Sequence, residues 1–278
     1  MSFDKFKPVV WASQLEEDLE KSLVFYENCN HQYEGLAKEP GDSVKILGIG
    51  RPSTRTWNDG KLHDLDKPEE IQGVSMTLPI KHVTDFNFYV DDLDKRQAEG
   101  GKGLLSQYMA EAKDVIAEQQ DAFIAAFAND KNIAKETATE AISKDNILDF
   151  IDKAYLKLLK NDVKRTTDVT LTVSPQFTMI LKRAYVELDT DNSEMLRNGR
   201  VGRYSNIIIK ESNQCLTDNT YEYFQLKTNK AISFVKPYLH LEPYRPEGNF
   251  SDAVKGYSLY DGKVTRPKEI IGLKVKYV

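Results

Sequence analysis

The chain has 278 residues, 40% of them hydrophobic, which is enough for one large domain or two smaller ones around a usable core. Charged residues make up 29%, the formal net charge is −5, and the cations are spread out, with small groups such as Lys164–Arg165 and Lys182–Arg183. That balance excludes a protein whose main task is gripping nucleic acid through its phosphates, since such proteins are usually basic.

Two cysteines, Cys29 and Cys215, are too few for a disulfide framework or a thiolate zinc site. They read as indifferent thiols of a protein that stays in the compartment where it is made. The opening MSFDKFKPVVWASQLEED has no apolar run of signal-peptide length. No segment approaches the ~20 apolar residues of a membrane span.

The first expected element is an amphipathic helix after Trp11, ending near Asn28–Asn30. Ser13 and Glu16 have capping-box spacing. Leu15, Leu19 and Leu23 form one stripe, with Glu16, Glu17, Glu20 and Lys21 on other faces. So narrow a stripe needs another surface to cover it. Next, Pro40-Gly41-Asp42 signals a turn, and residues 43–50 (SVKILGIG) alternate as a strand. Residues 51–73 are polar, with a turn at Asn58-Asp59-Gly60, and residues 74–90 return as one or two strands. Together they predict a long hairpin with a weak apolar face and a charged tip. A two-stranded ribbon is marginal alone in water, so a neighbouring subunit is the expected support.

The strongest helical pattern covers residues 104–129, where Leu105, Met109, Ala112, Ile116, Phe123 and Phe127 recur at helical spacing. A helix of that length spans about 37 Å at ~1.5 Å per residue. Residues 145–159 predict a second amphipathic helix and 169–173 a strand. Ser174-Pro175 opens a helix over 175–184, with proline in the first turn where its missing N–H costs nothing. Residues 206–210 read as a strand and 231–235 as a short strand or helix. The chain closes on strands at 239–244, 253–260 and 270–277. The fold class is α+β with interleaved segments.

Candidate chemical sites are weak. His31, His63, His82 and His240 have no metal-ligand spacing, and a satisfied or exposed histidine explains each. Asp91, Asp92 and Asp94 lack the glycine and distal glutamate of a calcium loop and read as a polar turn. Asp189-x-Asp191-Asn192-x-Glu194 follows a calcium loop for three positions and then departs from it. Gly199-x-x-Gly202 among Arg197, Arg200 and Arg203 matches no phosphate-binding pattern. There is no G-x-S-x-G and no Cys/His arrangement of known spacing. The reading is therefore non-enzymatic, with no cofactor and no metal.

Taken in order, several stretches resemble the major capsid proteins of tailed phages, whose fold is shared with herpesvirus capsid floors and encapsulin shells. WASQLEEDLEKSLVF followed by YEGLAKEPGDSVKILGIG is similar to the family's N-terminal arm and extended loop. FNFYVDDLDKRQA and MAEAKDVIAEQQDAFIAA resemble the return strand and long spine helix. SPQFTMIL and MLRNGRVGRYSNIIIKES resemble the domain around the capsomer axis, and EPYRPEGNFSDAVKGYSLYDGKVTRPKEIIGLKV the closing strands.

The resemblance implies an arm over residues 1–41 and an extended β-hairpin loop over 42–86. It implies a peripheral domain over 87–145 and 236–262, with its spine helix at about 104–129, and an axial domain over 146–235 and 263–278. It implies a virion protein, assembled in the host cytoplasm, that forms hexamers and pentamers of an icosahedral shell around double-stranded DNA. Contact with that DNA is nonspecific and no membrane is involved. The implied partners are a separate scaffolding protein (the chain begins almost at the arm), a portal and decoration proteins. Lys61 and Lys67 lie in the loop, but no matching asparagine and glutamate are evident, so crosslinks of the family's lysine–asparagine kind are not expected. Expected contacts between subunits are Leu15, Leu19 and Leu23 in the arm, and Arg51, Arg55 and Trp57 in the loop. The alternatives are an encapsulin-like nanocompartment shell and, in another class, a soluble α+β enzyme.

Overall fold

A computed structural model describes residues 23–34, 43–49, 56, 58, 60–61, 73–91, 104–161, 163, 167–187, 203–248 and 250–277. Tyr26–Asn28 is a short 3-10 turn, followed by strands β1 (Ser43–Ile49), β2 (Gly73–Pro79) and β3 (His82–Asp91). Helix α1 (Leu104–Ala126) continues into a 3-10 turn at Phe127–Asn129. Then come β4 (Ala134–Thr137), α2 (Ile147–Lys160), β5 (Val169–Val173) and α3 (Pro175–Glu187). The remaining strands are β6 (Arg203–Tyr204), β7 (Ile207–Glu211), β8 (Leu216–Thr217), β9 (Glu222–Thr228), β10 (Ile232–Tyr244), β11 (Ser251–Val264) and β12 (Ile270–Val275).

A mixed sheet runs β4-β12-β9-β5-β7-β6, with β8 on β9. Its central strands are buried on both faces, as five consecutive buried residues in VTLTV require. One face is apolar and takes α2 and α3. Ile147, Phe150, Ile151, Ala154 and Leu158 form the buried stripe of α2, with Asp149 in its first turn and Lys157 and Lys160 in its last, matching the helix dipole. Phe177 of α3 meets Phe224 of β9 edge to face, 5.1 Å between ring centres. Ser174 caps α3: its Oγ accepts the Phe177 N–H at 3.4 Å. Ser174→Ala is expected to cost about 1 kcal/mol of subunit stability, read by thermal unfolding. No change in midpoint would show that the Pro175 start suffices.

The second sheet runs β10-β11-β3 and lies on α1. The inward side chains of β3 alternate strictly: Thr84, Phe86, Phe88 and Val90 point in. Thr84 donates to Gln119 Oε1 of α1 at 3.0 Å, and Phe88 stacks on Tyr108 at 5.6 Å. Gly256 leaves room for this, because a Cβ there would stand 2.6 Å from the Phe86 ring and 2.7 Å from the His240 carbonyl. A register shift in β10 between Val235 and Tyr238 is the bulge at which the strand changes its pairing with β11.

The structure differs from the sequence reading in four places. The residues from 74 to 90 form two strands, and only β2 pairs with β1; β3 pairs with β11 along all ten residues. Residues 231–235 open a strand of 13 residues that includes 239–244. Strands β4, β6, β8 and β9 had no counterpart in the sequence reading. The fourth difference is the ribbon, whose base packs on Val235 and Leu259 of its own chain.

Candidate assembly surface

The outer face of the β10-β11-β3 sheet is set by register. Asn87 stands opposite Lys255, and Lys255 opposite Glu242; one rung further, Tyr89 and Tyr244 flank Ala253. Lys255 Nζ lies 3.0 Å from Glu242 and 5.2 Å from the Tyr244 ring centre, and Tyr244 Oη donates to Asn87 at 3.0 Å. This is a polar, aromatic and half-exposed platform. Tyr89 is 67% exposed on β3, at the sheet edge, and Phe250 is 82% exposed in the turn that joins β10 to β11. Val83 on the same strand, Val115 on α1, Leu156 on α2 and Met179 on α3 also face solvent. Single exposed apolar side chains are ordinary. Here several sit on the faces and ends of regular elements, where a flat partner surface can reach them.

The base of the β1–β2 ribbon covers the other end of this platform. Val44, Ile46, Leu78 and Ile80 pack on Val235 and Leu259, flanked by Tyr33, Met76 and Tyr257. Lys263 Nζ donates to the Thr77 carbonyl at 3.1 Å. The described part of the ribbon is therefore supported by its own chain. The expectation that only a neighbouring subunit could bury it is corrected: alternation at 44/46 and 78/80 gives one apolar face, and the bulged β10–β11 pair supplies the surface to receive it.

Leu23 is corrected as well. It is 1% exposed and belongs to the main core with Phe25 and Tyr26, so its side chain serves its own chain. Leu15, Leu19, Arg51, Arg55 and Trp57 lie outside the described residues.

A buried polar junction holds residues 23–34 in place. Asp121 of α1 accepts the N–H of Val24 at 2.9 Å and of Phe25 at 3.2 Å. Thr170 donates to Asn28, and Asn30 forms a parallel bridge with Ser233 at the start of β10. Lys227 of β9 is fully buried, and its Nζ donates to Cys29 Sγ at 3.3 Å. The neighbouring Gln225 donates to the Ile124 and Ala125 carbonyls at the end of α1, at 2.6 and 3.2 Å. The polar face of the large sheet thus binds the end of α1 and the segment that emerges from residues 1–22.

Burial pushes the Asp121 carboxyl up to about 6, against the lowering effect of its backbone N–H donors and Lys227. Burial raises the Cys29 thiol, and it raises Cys215 to about 12 with help from the Glu222 and Asp121 charges. Ser174, Glu222 and Tyr277 form another cluster. Ser174 and Tyr277 both donate to Glu222 Oε2, at 2.6 and 2.8 Å, and burial raises the Tyr277 phenol. With its hydroxyls directed at a carboxylate, it pins the last strand to the start of α3.

The histidines are placed as structural groups. His31 is bound to Glu34 and the Tyr26 carbonyl, His82 to Asp261 beside Phe123, and His240 lies near Tyr257. His63 lies outside the described residues. Among the described residues no three His, Cys, Asp or Glu side chains could hold a metal ion, and no helix is long and apolar enough to cross a membrane.

Sequence reasoning missed the junction residues Asp121, Lys227 and Gln225. A lysine and a glutamine inside YFQLK hide a buried strand; the available signal was its alternation, with Phe224 and Leu226 facing one way. It also missed Tyr89 and Phe250, since an exposed aromatic reads in sequence like a core one.

No protein-family model matches the chain, and no curated protein matches it in sequence. Solved structures do match. One from Mycobacterium phage Che8 is 26% identical, with a TM-score of 0.74 over 90% of each chain. The capsid structure of the cyanophage P-SCSP1u is 14% identical, with a TM-score of 0.71 over 92% of this chain and 89% of the other. A virus-like particle from Pyrococcus furiosus is 15% identical, with a TM-score of 0.58 over 94% and 96%.

Proposed function

We propose that this chain, which has the major capsid protein fold of tailed phages, builds an icosahedral shell of hexamers and pentamers around double-stranded DNA. The observation that carries the reading is the match at 26% identity and a TM-score of 0.74 over nine-tenths of both chains. The chain's own physics supports it. A net charge of −5 suits a container whose contact with packaged DNA must be weak enough to release it. The exposed Tyr89, Phe250, Leu156 and Met179 lie on two sheet-and-helix units, as contacts on several sides of a subunit require.

In this reading residues 1–41 are an arm and the 42–86 region a loop reaching the adjacent subunit, with Leu15, Leu19, Arg51, Arg55 and Trp57 as its contacts. Residues 87–145 and 236–262 are the peripheral domain, and 146–235 and 263–278 the axial one. The particle is assembled in the host cytoplasm with a separate scaffolding protein and a portal, and with decoration proteins on its outer face. The subunit performs no catalysis.

Electron microscopy and light scattering of the full chain, expressed alone and with its neighbouring genes, test this. Shells, tubes, or rings of five or six are expected. A monomer that never assembles would overturn the reading. The Pyrococcus match makes a protein-filled compartment the second reading, and cargo separates the two: nuclease-protected DNA supports the phage shell, packaged protein without DNA the compartment. Phe250→Asp, at a side chain 82% exposed in the β10–β11 turn, should reduce assembly at least about tenfold, if a buried interface anchor is worth ~1.4 kcal/mol or more. The thermal midpoint of the unassembled subunit should stay unchanged. Wild-type assembly by this variant would remove the turn from the interface.

A further inference from the structure

We propose that Lys227 and Cys29 are an oxidative crosslinking site, at which the lysine nitrogen and the cysteine sulfur become joined through one oxygen atom. Four observations carry this. Lys227 is fully buried on β9, and the hydrogen-bond acceptor that its ammonium meets is the Cys29 sulfur at 3.3 Å. A thiol sulfur is a weak acceptor, so this is a poor hydrogen-bond contact for a buried cation, although the Asp121 carboxylate is near enough to offset its charge. The thiol in turn donates to the Phe25 carbonyl at 3.3 Å, which fixes the sulfur with its lone pairs toward the amine. The two residues lie 198 apart in sequence, yet both are held in place: Cys29 by the Asn30–Ser233 bridge next to it, Lys227 by its pairing with Ile270 and Thr170 in the sheet.

The chemistry balances with dioxygen as the oxidant. From thiol and ammonium, the nitrogen first releases one proton to solvent; the S–H bond and one further N–H bond then break, and an S–O and an O–N bond form. One oxygen atom stays in the bridge, and the other leaves as water with the two hydrogens. Sulfur and nitrogen each give up two electrons, and dioxygen takes all four. Burial keeps Cys29 protonated, so the reaction is slow, and charged or bulky oxidants are excluded from it. Dioxygen is small and uncharged. The bridge would staple residues 23–34 to the central strand of the large sheet, a covalent lock that a thiol reductant opens.

Cys215 is the internal control. It is also a buried thiol, but its sulfur donates to the Ser212 carbonyl at 3.4 Å rather than facing an amine. The experiment is intact-mass and peptide mass spectrometry on the full chain, purified under argon with reductant and then exposed to air. The expected product is heavier by one oxygen and lighter by two hydrogens. It yields a linked peptide containing Cys29 and Lys227 and returns to the starting mass with dithiothreitol, and the oxidised form unfolds at a higher temperature than the reduced one. Lys227→Arg keeps a cation in the site and should lose the linked peptide; Cys29→Ser should lose it too. An unlinked Cys29 after exposure would overturn the proposal, whether it remains a thiol or carries added oxygen with its hydrogens retained. So would a linked product that persists in Lys227→Arg. The outcome is independent of whether the chain assembles.

Discussion

Gly272→Ala should lose about 3 kcal/mol of subunit stability, the upper end of what overpacking one methyl normally costs. Gly272 sits in β12, paired to Lys135 of β4 on one side and Gln225 of β9 on the other. A Cβ there would stand 2.1 Å from the Ala128 carbonyl oxygen, 3.2 Å from its carbon and 3.1 Å from Ile133 Cδ1. The first two are backbone atoms of the turn that ends α1, so no rotamer change relieves the contact. Either that turn or β12 must move, and β12 is hydrogen-bonded on both edges. The measurement is urea unfolding of the unassembled subunit, with Gly248→Ala as comparison. Gly248 also lacks a Cβ but has open space around it, so only its backbone angle, φ +90°, is strained. A Gly272→Ala loss no larger than that of Gly248→Ala would mean that α1 and the large sheet are not packed as closely as this contact requires.

That contact shows what the sequence could and could not reveal. The helix over 104–129 was legible because its stripe is long and regular, and residues 169–173 because a run of five β-formers has one reading. Ser174-Pro175 marked the start of α3 within a residue, since cap and proline act locally. The partners of each strand were not legible. Nothing in residues 82–91 states that they pair with β11 instead of extending the hairpin; that choice lies in Phe86 and Phe88 finding Met109, Leu241 and Val254, well over a hundred residues away in part. Of the expected contact residues, Leu23 alone can be placed, and it packs inward. A leucine stripe says that something covers it, and for Leu23 the cover is the chain's own core. Gly272 itself carried no signal, because a close approach between β12 and the end of α1 exists only after folding. The overall resemblance to capsid proteins survived these local errors because it rested on the order of many segments.

Asp121→Ala should also cost about 3 kcal/mol, the lower end for removing one member of a buried charged network. The carboxylate is the acceptor for the N–H groups of Val24 and Phe25, and it offsets the buried Lys227. Alanine would leave the backbone donors of Val24, Phe25 and Tyr26 without that partner and the ammonium with a thiol sulfur. Asp121→Asn keeps one acceptor oxygen and should lose less, about 1 kcal/mol.

The two variants separate further with pH. Burial, the largest cause, raises Asp121 from 3.8 to about 6, so the folded state binds the proton more tightly than the unfolded chain does. The stabilisation from protonating this group is therefore complete below the unfolded value and is lost as pH rises through the folded one. Between pH 5 and pH 7 the wild type should lose roughly 1 kcal/mol from this group alone. The Asn variant has nothing to titrate there and should lack that slope. Thermal midpoints of wild type and both variants across this range decide the matter. If wild type and Asp121→Asn run parallel, the carboxyl titrates at its ordinary value, and its hydrogen bonds from residues 24 to 26 balance its burial. If Asp121→Ala is as stable as wild type, the anchor for residues 23–34 lies elsewhere: in Thr170 with Asn28, and in the Asn30–Ser233 bridge.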